Sequence, residues 1–368
     1  MKQQIKLFLT VLAGTLFFVS CSDDDAENAA RLPLGSYDLG ILVLNEGKFN
    51  TGNASVSYIS DDFSVSQNDI FSIVNDGALL GDVAQSIGFN NDLAYIVVNN
   101  SQKIEVVNRY TFKKVATITG QLRNPRYIAF ANGKGYVTNW GNPTDPNDDY
   151  IAIVNLSTQT VASSIPVTEG PEEIVASNGK LFVSHSGGYN FGNTVSVISN
   201  DAVAAAIAVG DVPKELQIVD GNLWVTCKGN PSYAPSGTTA GKFVKINPDT
   251  NAVTGELKFP AGQSAVNLEK SAISGSNLYY NIGTAIYKSA LNTTILPATP
   301  TFDASAQGAE SIYGFAVNNG RIYLSDAAGF TVRGKIYVFA SGNQETAAGV
   351  LLNRTTVGVA PSAFYFNN

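Results

Sequence analysis

A closed ring of seven four-stranded antiparallel blades, an all-β seven-bladed β-propeller, is the fold predicted by this 368-residue sequence. Three observations predict it. A turn-and-strand motif recurs along the chain, the segments between turns are rich in Val, Ile, Tyr and Phe, and the two ends of the chain complete one another. The second turn residues fall at 92, 133, 179, 221, 276 and 320, in steps of 41, 46, 42, 55 and 44. Periods of that size with several strands per unit mark propeller blades rather than separate domains, although length alone would suggest two domains.

The first twenty residues form a targeting segment. Lys2 and Lys6 precede an apolar run, Leu7 to Val19, too short for a stop-transfer helix. Phe18-Val19-Ser20-Cys21 ends the run and resembles the lipobox of bacterial lipoproteins, which implies that Cys21 is lipidated. Ser22-Asp23-Asp24-Asp25 follows, resembling the export signal of Bacteroidetes-type surface lipoproteins. Residues 21–38 then read as a flexible acidic tether and 39–368 as the propeller. The expected location is the outer membrane, lipid-anchored and facing out. Cys227, the other cysteine, reads as a packed thiol, so no disulfide framework exists. The formal charge of −7 becomes more negative once Lys2 and Lys6 leave, and no basic cluster offers a nucleic-acid surface. The membrane is met through the lipid alone.

Each repeat reads as strands A to D. In the third, A is Tyr127 to Ala131, the Asn132-Gly133 turn follows, and B is Gly135 to Asn139. C is Tyr150 to Asn155, and D is Val161 to Val167. Asn-Gly between apolar runs is a strong hairpin signal, because both turn positions need positive φ. Six turns give six blades. The seventh joins the ends: Gly40 to Leu44 and Ala54 to Ile59 look like strands B and C without an A, while Val359 to Phe366 looks like an A alone. Pairing them removes an open sheet edge.

The A–B and C–D links are minimal turns, whereas most B–C loops are long: Asn45 to Asn53, Gly141 to Asp149, Ser186 to Asn193, Lys228 to Gly241 and Asp326 to Gly334. These crowd one face, where function concentrates. They carry Phe49, Tyr189, Phe191, Tyr233 and Phe330, with Trp140 at the base of one. One buried ring yields roughly 1.5–3 kcal/mol, against about 4–15 kcal/mol for association. Several rings acting together are therefore needed to hold a ligand; the alternative is a lid in which each ring packs on its own loop. The same face receives Pro125-Arg126-Tyr127, Pro171-Glu172-Glu173, Pro213-Lys214-Glu215, Asn267-Leu268-Glu269-Lys270 and Ala309-Glu310-Ser311. Arg126, Glu173 and Glu215 are expected to rim the channel, either toward a ligand or toward neighbouring backbone.

Enzymatic chemistry has no strong candidate. His185 is the single histidine, without a G-x-S-x-G elbow, and reads as a loop residue bonding locally or to a ligand. Its count excludes a His-based zinc site, and Cys227 has no partner. Asp145, Asn147, Asp148 and Asp149 offer oxygens for Ca²⁺, but not at EF-hand spacing. No cofactor is called for.

Tyr136-Val137-Thr138-Asn139 within an Asn-Gly-led repeat resembles the YVTN family of seven-bladed propellers, YncE-like proteins among them. Gly40 to Gly47, followed by Gly52-Asn53-Ala54-Ser55-Val56-Ser57-Tyr58, resembles the opening of a subgroup of Bacteroidetes surface lipoproteins. Some members of that subgroup capture cobalamin for a TonB-dependent outer-membrane transporter. The resemblance implies a non-catalytic capture protein that grips cobalamin or a similar nutrient on its loop face. Two other classes stay open. One is an adhesion or scaffold propeller binding protein or glycan. The other is a lactonase- or lyase-like enzyme, which needs carboxylate or His groups converging on a metal or substrate in the channel, as a cluster of Glu173, Glu215 and His185 would.

Overall fold

The structure, a computed structural model, describes residues 32–142, 144–263 and 266–368. The leader, Cys21 and the start of the tether lie outside the described residues. Among the described residues no helix is long and apolar enough to cross a membrane.

Seven four-stranded antiparallel sheets follow in chain order. Blade 1 takes Gly40–Asn45, Ser55–Ser60 and Ser66–Gln67, with Pro361–Asn367 as its strand A. Blades 2 to 7 begin at strands A Ala84–Asn90, Pro125–Ala131, Pro171–Ser177, Pro213–Val219, Ser271–Ser274 and Gly314–Asn318. Asn132 (φ 51°) and Gly133 (φ 72°) are both left-handed, as the two-residue hairpin demands, and three further turn pairs repeat this.

The recurrent strand B motif has a physical role at each position. Its aromatic residue, three places after the turn, is Tyr95, Tyr136, Phe182, Trp224, Tyr279 or Tyr323, each no more than 5% exposed. These rings fill the layers between blades; Tyr95 meets Phe130 of the next blade at 4.9 Å. Val137 is wholly buried. Thr138 is the bridge: its hydroxyl accepts the Tyr127 amide (3.0 Å) and donates to the Glu172 carbonyl of blade 4 (2.7 Å). Ser184 repeats this one blade on, accepting from Glu173 N and donating to Lys214 O. Asn139, also buried, accepts from Arg123 N and donates to Val137 O.

Those hydroxyls serve a β-bulge at the start of strand A. Pro125 pairs with Asn139 and the next partners are Ile128 and Val137, so Arg126 and Tyr127 together face Thr138. Blades 4 and 5 bulge alike at Glu172-Glu173 and Lys214-Glu215. A bulge re-aims consecutive side chains, and here it sends them into the channel. The residue before each of these strands A is left-handed, Asn124, Gly170 and the β-branched Val212 (φ 53°), as is Val83 (φ 57°) before strand A of blade 2. Such strain costs about 1–3 kcal/mol per residue and is concentrated at the channel mouth.

The ring closes through the C-terminal strand, with Phe364 opposite Val43 and Tyr365 opposite Leu42. The Ile87 amide of blade 2 donates to the Tyr365 hydroxyl at 2.9 Å. Asn367 donates to the carbonyls of Tyr37 (2.6 Å) and Arg109 (2.8 Å). Residues 34–38, assigned above to the tether, belong to the compact body. Tyr37 is 3% exposed and packs against Tyr58 and Phe112, because its ring gains an apolar seat that a leash could not offer.

Candidate functional site

The bulges, the B–C loops and the D–A links all meet on one face, where a groove and a chamber lie next to a third space in the channel. A groove of about 270 Å³ lies among the loops, lined by Trp140, Phe191, Tyr233, Lys214, Lys228 and Glu269. A chamber of about 240 Å³ occupies the channel mouth, with Glu46, Gln85, Arg126, Glu172, Lys214 and Tyr313 on its walls. A cavity of about 290 Å³ is lined by residues further along the strands A, among them Tyr127, Glu173, Glu215, Lys270, Phe315 and Tyr365.

Arg126 organises the mouth. Its guanidinium donates to both Glu172 oxygens (3.1 and 2.9 Å) and to Gln85 Oε1 (2.6 Å), and lies 4.0 Å over the Trp140 ring. Glu172 is fully buried. Burial works to raise its carboxyl, but the charges of Arg126 and of Lys214 (3.4 Å) prevail and hold it down at about 2. Tyr313 donates to Glu46 at 2.7 Å, and burial raises the Glu46 carboxyl above the usual range. Deeper in, burial pushes Glu173 up to about 8 although Leu216 N donates to it at 2.8 Å. Burial also raises Glu215, whose two carboxylate oxygens are buried without a hydrogen-bond partner. The Lys228 ammonium is depressed by burial.

Of the aromatic residues expected on this face, four form an arc over blades 3 to 5. Trp140 meets Tyr189 at 5.8 Å and Phe191 meets Tyr233 at 6.0 Å. Trp140 is held by its Nε1, which donates to Pro171 O at 3.0 Å. The loop carrying Tyr189 packs against Gly170 so closely that a Cβ there would fall 2.0 Å from Gly188 N. Only glycine allows that approach. Phe49 and Phe330 stand apart. Phe330 packs edge-on to Tyr313 at 4.8 Å, and Phe49 is 64% exposed with no ring partner among the described residues.

Arg126, Glu173 and Glu215 do face the channel. His185 does not; of the two readings open to it, local bonding is the one found here. It ends strand B of blade 4 at 1% exposure, its Nε2 bonded with Ser196 (2.8 Å) and its Nδ1 near Thr168 (3.0 Å). Burial lowers its pKa to about 4, so it is a neutral structural imidazole. Glu310, expected at the rim, is exposed instead, because the Asp326 carboxylate accepts its amide and that of Ser311. Tyr313 takes its place in the channel. The acidic loop spends its carboxylates internally: Asp148 accepts from Asn142 N, and Asp149 accepts from Gly170 N. Among the described residues no three His, Cys, Asp or Glu side chains gather in a metal-holding group. Cys227 is buried, and burial pushes its thiol up to about 12.

Glu46 and Tyr313 were missed by sequence reasoning. Glu46 opens a B–C loop and Tyr313 precedes a strand A without a proline, so neither shares the Pro-polar-polar signal.

Solved structures share the architecture. Hydrazine synthase from Kuenenia stuttgartiensis aligns at 14% identity and TM-score 0.54, covering 78% of this chain and 92% of that one. The WD40 domain of Neurospora crassa Pan2 aligns at 10% and 0.57, covering 84% and 88%. The dihydro-heme d1 dehydrogenase NirN, in complex with DHE, aligns at 13% and 0.55, covering 92% and 78%. At such identities the likeness extends to the fold alone. No curated protein matches the sequence. A family profile does: Domain of unknown function (DUF5074) matches residues 39–346, and the chain belongs to that family.

Proposed function

We propose that this propeller is a non-catalytic capture protein that holds a ligand against its loop face. The observation that carries this reading is the groove in which Trp140, Phe191 and Tyr233 stand beside Lys214, Lys228 and Glu269. Aromatic rings next to a few convergent polar groups are the usual make-up of a small-molecule site. Tyr233 is 80% exposed and Tyr189 66%, so a ligand that covers them gains apolar burial the free protein lacks.

Cobalamin is the ligand we favour, from the resemblance of the N-terminal blade. A groove of about 270 Å³ is too small to enclose a corrinoid and suits contact with one part of it. The uncovered part stays available to a second protein, as hand-over to a TonB-dependent transporter requires. In this reading Cys21 carries the lipid and the propeller works on the outer surface of the outer membrane. The separation of His185 from Glu173 and Glu215 weighs against the hydrolase alternative.

Calorimetric titration of cobalamin into the purified protein tests the proposal. One-to-one binding at sub-micromolar Kd, with coloured ligand co-eluting on gel filtration, supports it. Absence of heat and of co-elution at high micromolar ligand would overturn the cobalamin assignment.

A further inference from the structure

The cavity along the strands A holds opposite charges that do not touch. Both Glu215 oxygens are buried without a partner, and Lys270, on the same wall, makes no ion pair among the described residues. Lys270 is nevertheless the charge that most favours ionised Glu215. Ser362 also lines this space. Leaving buried polar groups unmet is costly, and buried charges are normally paired. Arg126 and Glu172, by contrast, pair directly at 2.9 Å. The gap between Glu215 and Lys270 therefore has the form of a site whose occupant supplies the reversed polarity.

We propose that this cavity binds a small zwitterion of amino-acid size, its ammonium seated on Glu215 beside Glu173 and its carboxylate on Lys270. Charge and size both point there. Tyr127, Phe315, Phe364 and Tyr365 line the same cavity as Glu215, and aromatic rings attract a cation at their faces. The volume of about 290 Å³ lies just under the range typical of drug-sized ligands. Lys214 and Lys228 add positive charge on the mouth side, so a plain cation meets three lysines whereas a zwitterion presents its carboxylate to them. The linings of this cavity and of the loop-face groove share no residue, so the proposal does not rest on cobalamin capture.

Calorimetric titration of the purified protein with glycine, L-alanine and L-lysine tests it, with ethanolamine and acetate as the two halves of the charge pattern. At least one amino acid is expected to bind one-to-one, at least tenfold tighter than either half. Glu215→Gln and Lys270→Met are each expected to weaken that binding tenfold or more, while Val203→Ser on the outer strand of blade 4 leaves it unchanged. Thermal melts confirm that each variant folds, and either of the two is sufficient. No binding by any of the three amino acids means that water alone fills the gap and overturns the proposal. Equal binding of ethanolamine, or unchanged binding by a folded Glu215→Gln or Lys270→Met, overturns it as well.

Discussion

Arg126 grips both carboxylate oxygens of Glu172 across the boundary between blades 3 and 4, at 3.1 and 2.9 Å, and its guanidinium also shelves Trp140. One side chain thus links the channel charge to the aromatic arc. Truncating one partner of a buried pair strands the other, at a cost of about 3–5 kcal/mol. Arg126→Ala is expected to lower stability by that order in urea unfolding. The double variant Arg126→Met/Glu172→Leu is expected to lose less, because both members of the buried pair go together and Lys214, which also faces Glu172 at 3.4 Å, is 30% exposed and can turn to water.

Thr138→Val keeps the shape of the side chain but deletes its hydroxyl. The Tyr127 amide then loses its acceptor within blade 3, and the Glu172 carbonyl loses the donor that joins blades 3 and 4. Each unmet group costs about 1–3 kcal/mol. A drop in Tm, with Thr138→Ser close to wild type, is the expected result; Thr138→Val melting like wild type contradicts the bridging role.

Carboxyls shifted in opposite directions give the protein a two-sided pH profile. Folded Glu173 keeps its proton up to about pH 8, against an ordinary value of 4.5, so the native state binds the extra proton between those values. Stability falls as pH rises through that window, by on the order of a few kcal/mol. Glu173→Gln is expected to flatten the fall. Glu172, held at about 2, works the other way: its contribution is full above pH 4.5 and is lost as pH drops toward 2. Urea unfolding between pH 3 and 9 checks both slopes.

Removing residues 361–368 takes away strand A of blade 1 and opens the ring. The exposed edge of Gly40–Asn45 would then seek another strand. Loss of cooperative melting, with oligomers in light scattering, is expected; a monomer melting like the intact protein would contradict closure by this strand.

The blade count and the closure were legible because their causes are local. Asn132-Gly133 must take positive φ, and Tyr136 recurs at a fixed distance because every inter-blade layer needs a ring. The channel was legible where a proline marked the bulge, at Pro125, Pro171 and Pro213, and at Lys270 of the less regular Asn267-Leu268-Glu269-Lys270. Blade 7 lacks that proline, so Tyr313 went unseen and Glu310 was placed in its stead. His185 was left between two readings for a related reason: position at a strand end says nothing about which way the ring turns, and Ser196 on the neighbouring strand captured it. Phe49 and Phe330 share the loop face with the other aromatics, but one-dimensional spacing could not tell that their blades lie away from the arc of blades 3 to 5.

Tryptophan fluorescence of Trp224→Phe tests ligand capture on the loop face most directly. That substitution removes the buried indole and leaves Trp140, at the groove, as the single reporter. Titrated cobalamin is predicted to quench Trp140 with saturation at one equivalent, and adding Tyr233→Ala should weaken the apparent affinity tenfold or more, about 1.4 kcal/mol. Quenching that rises without saturation, or that is indifferent to Tyr233→Ala, would contradict a cobalamin site on this face.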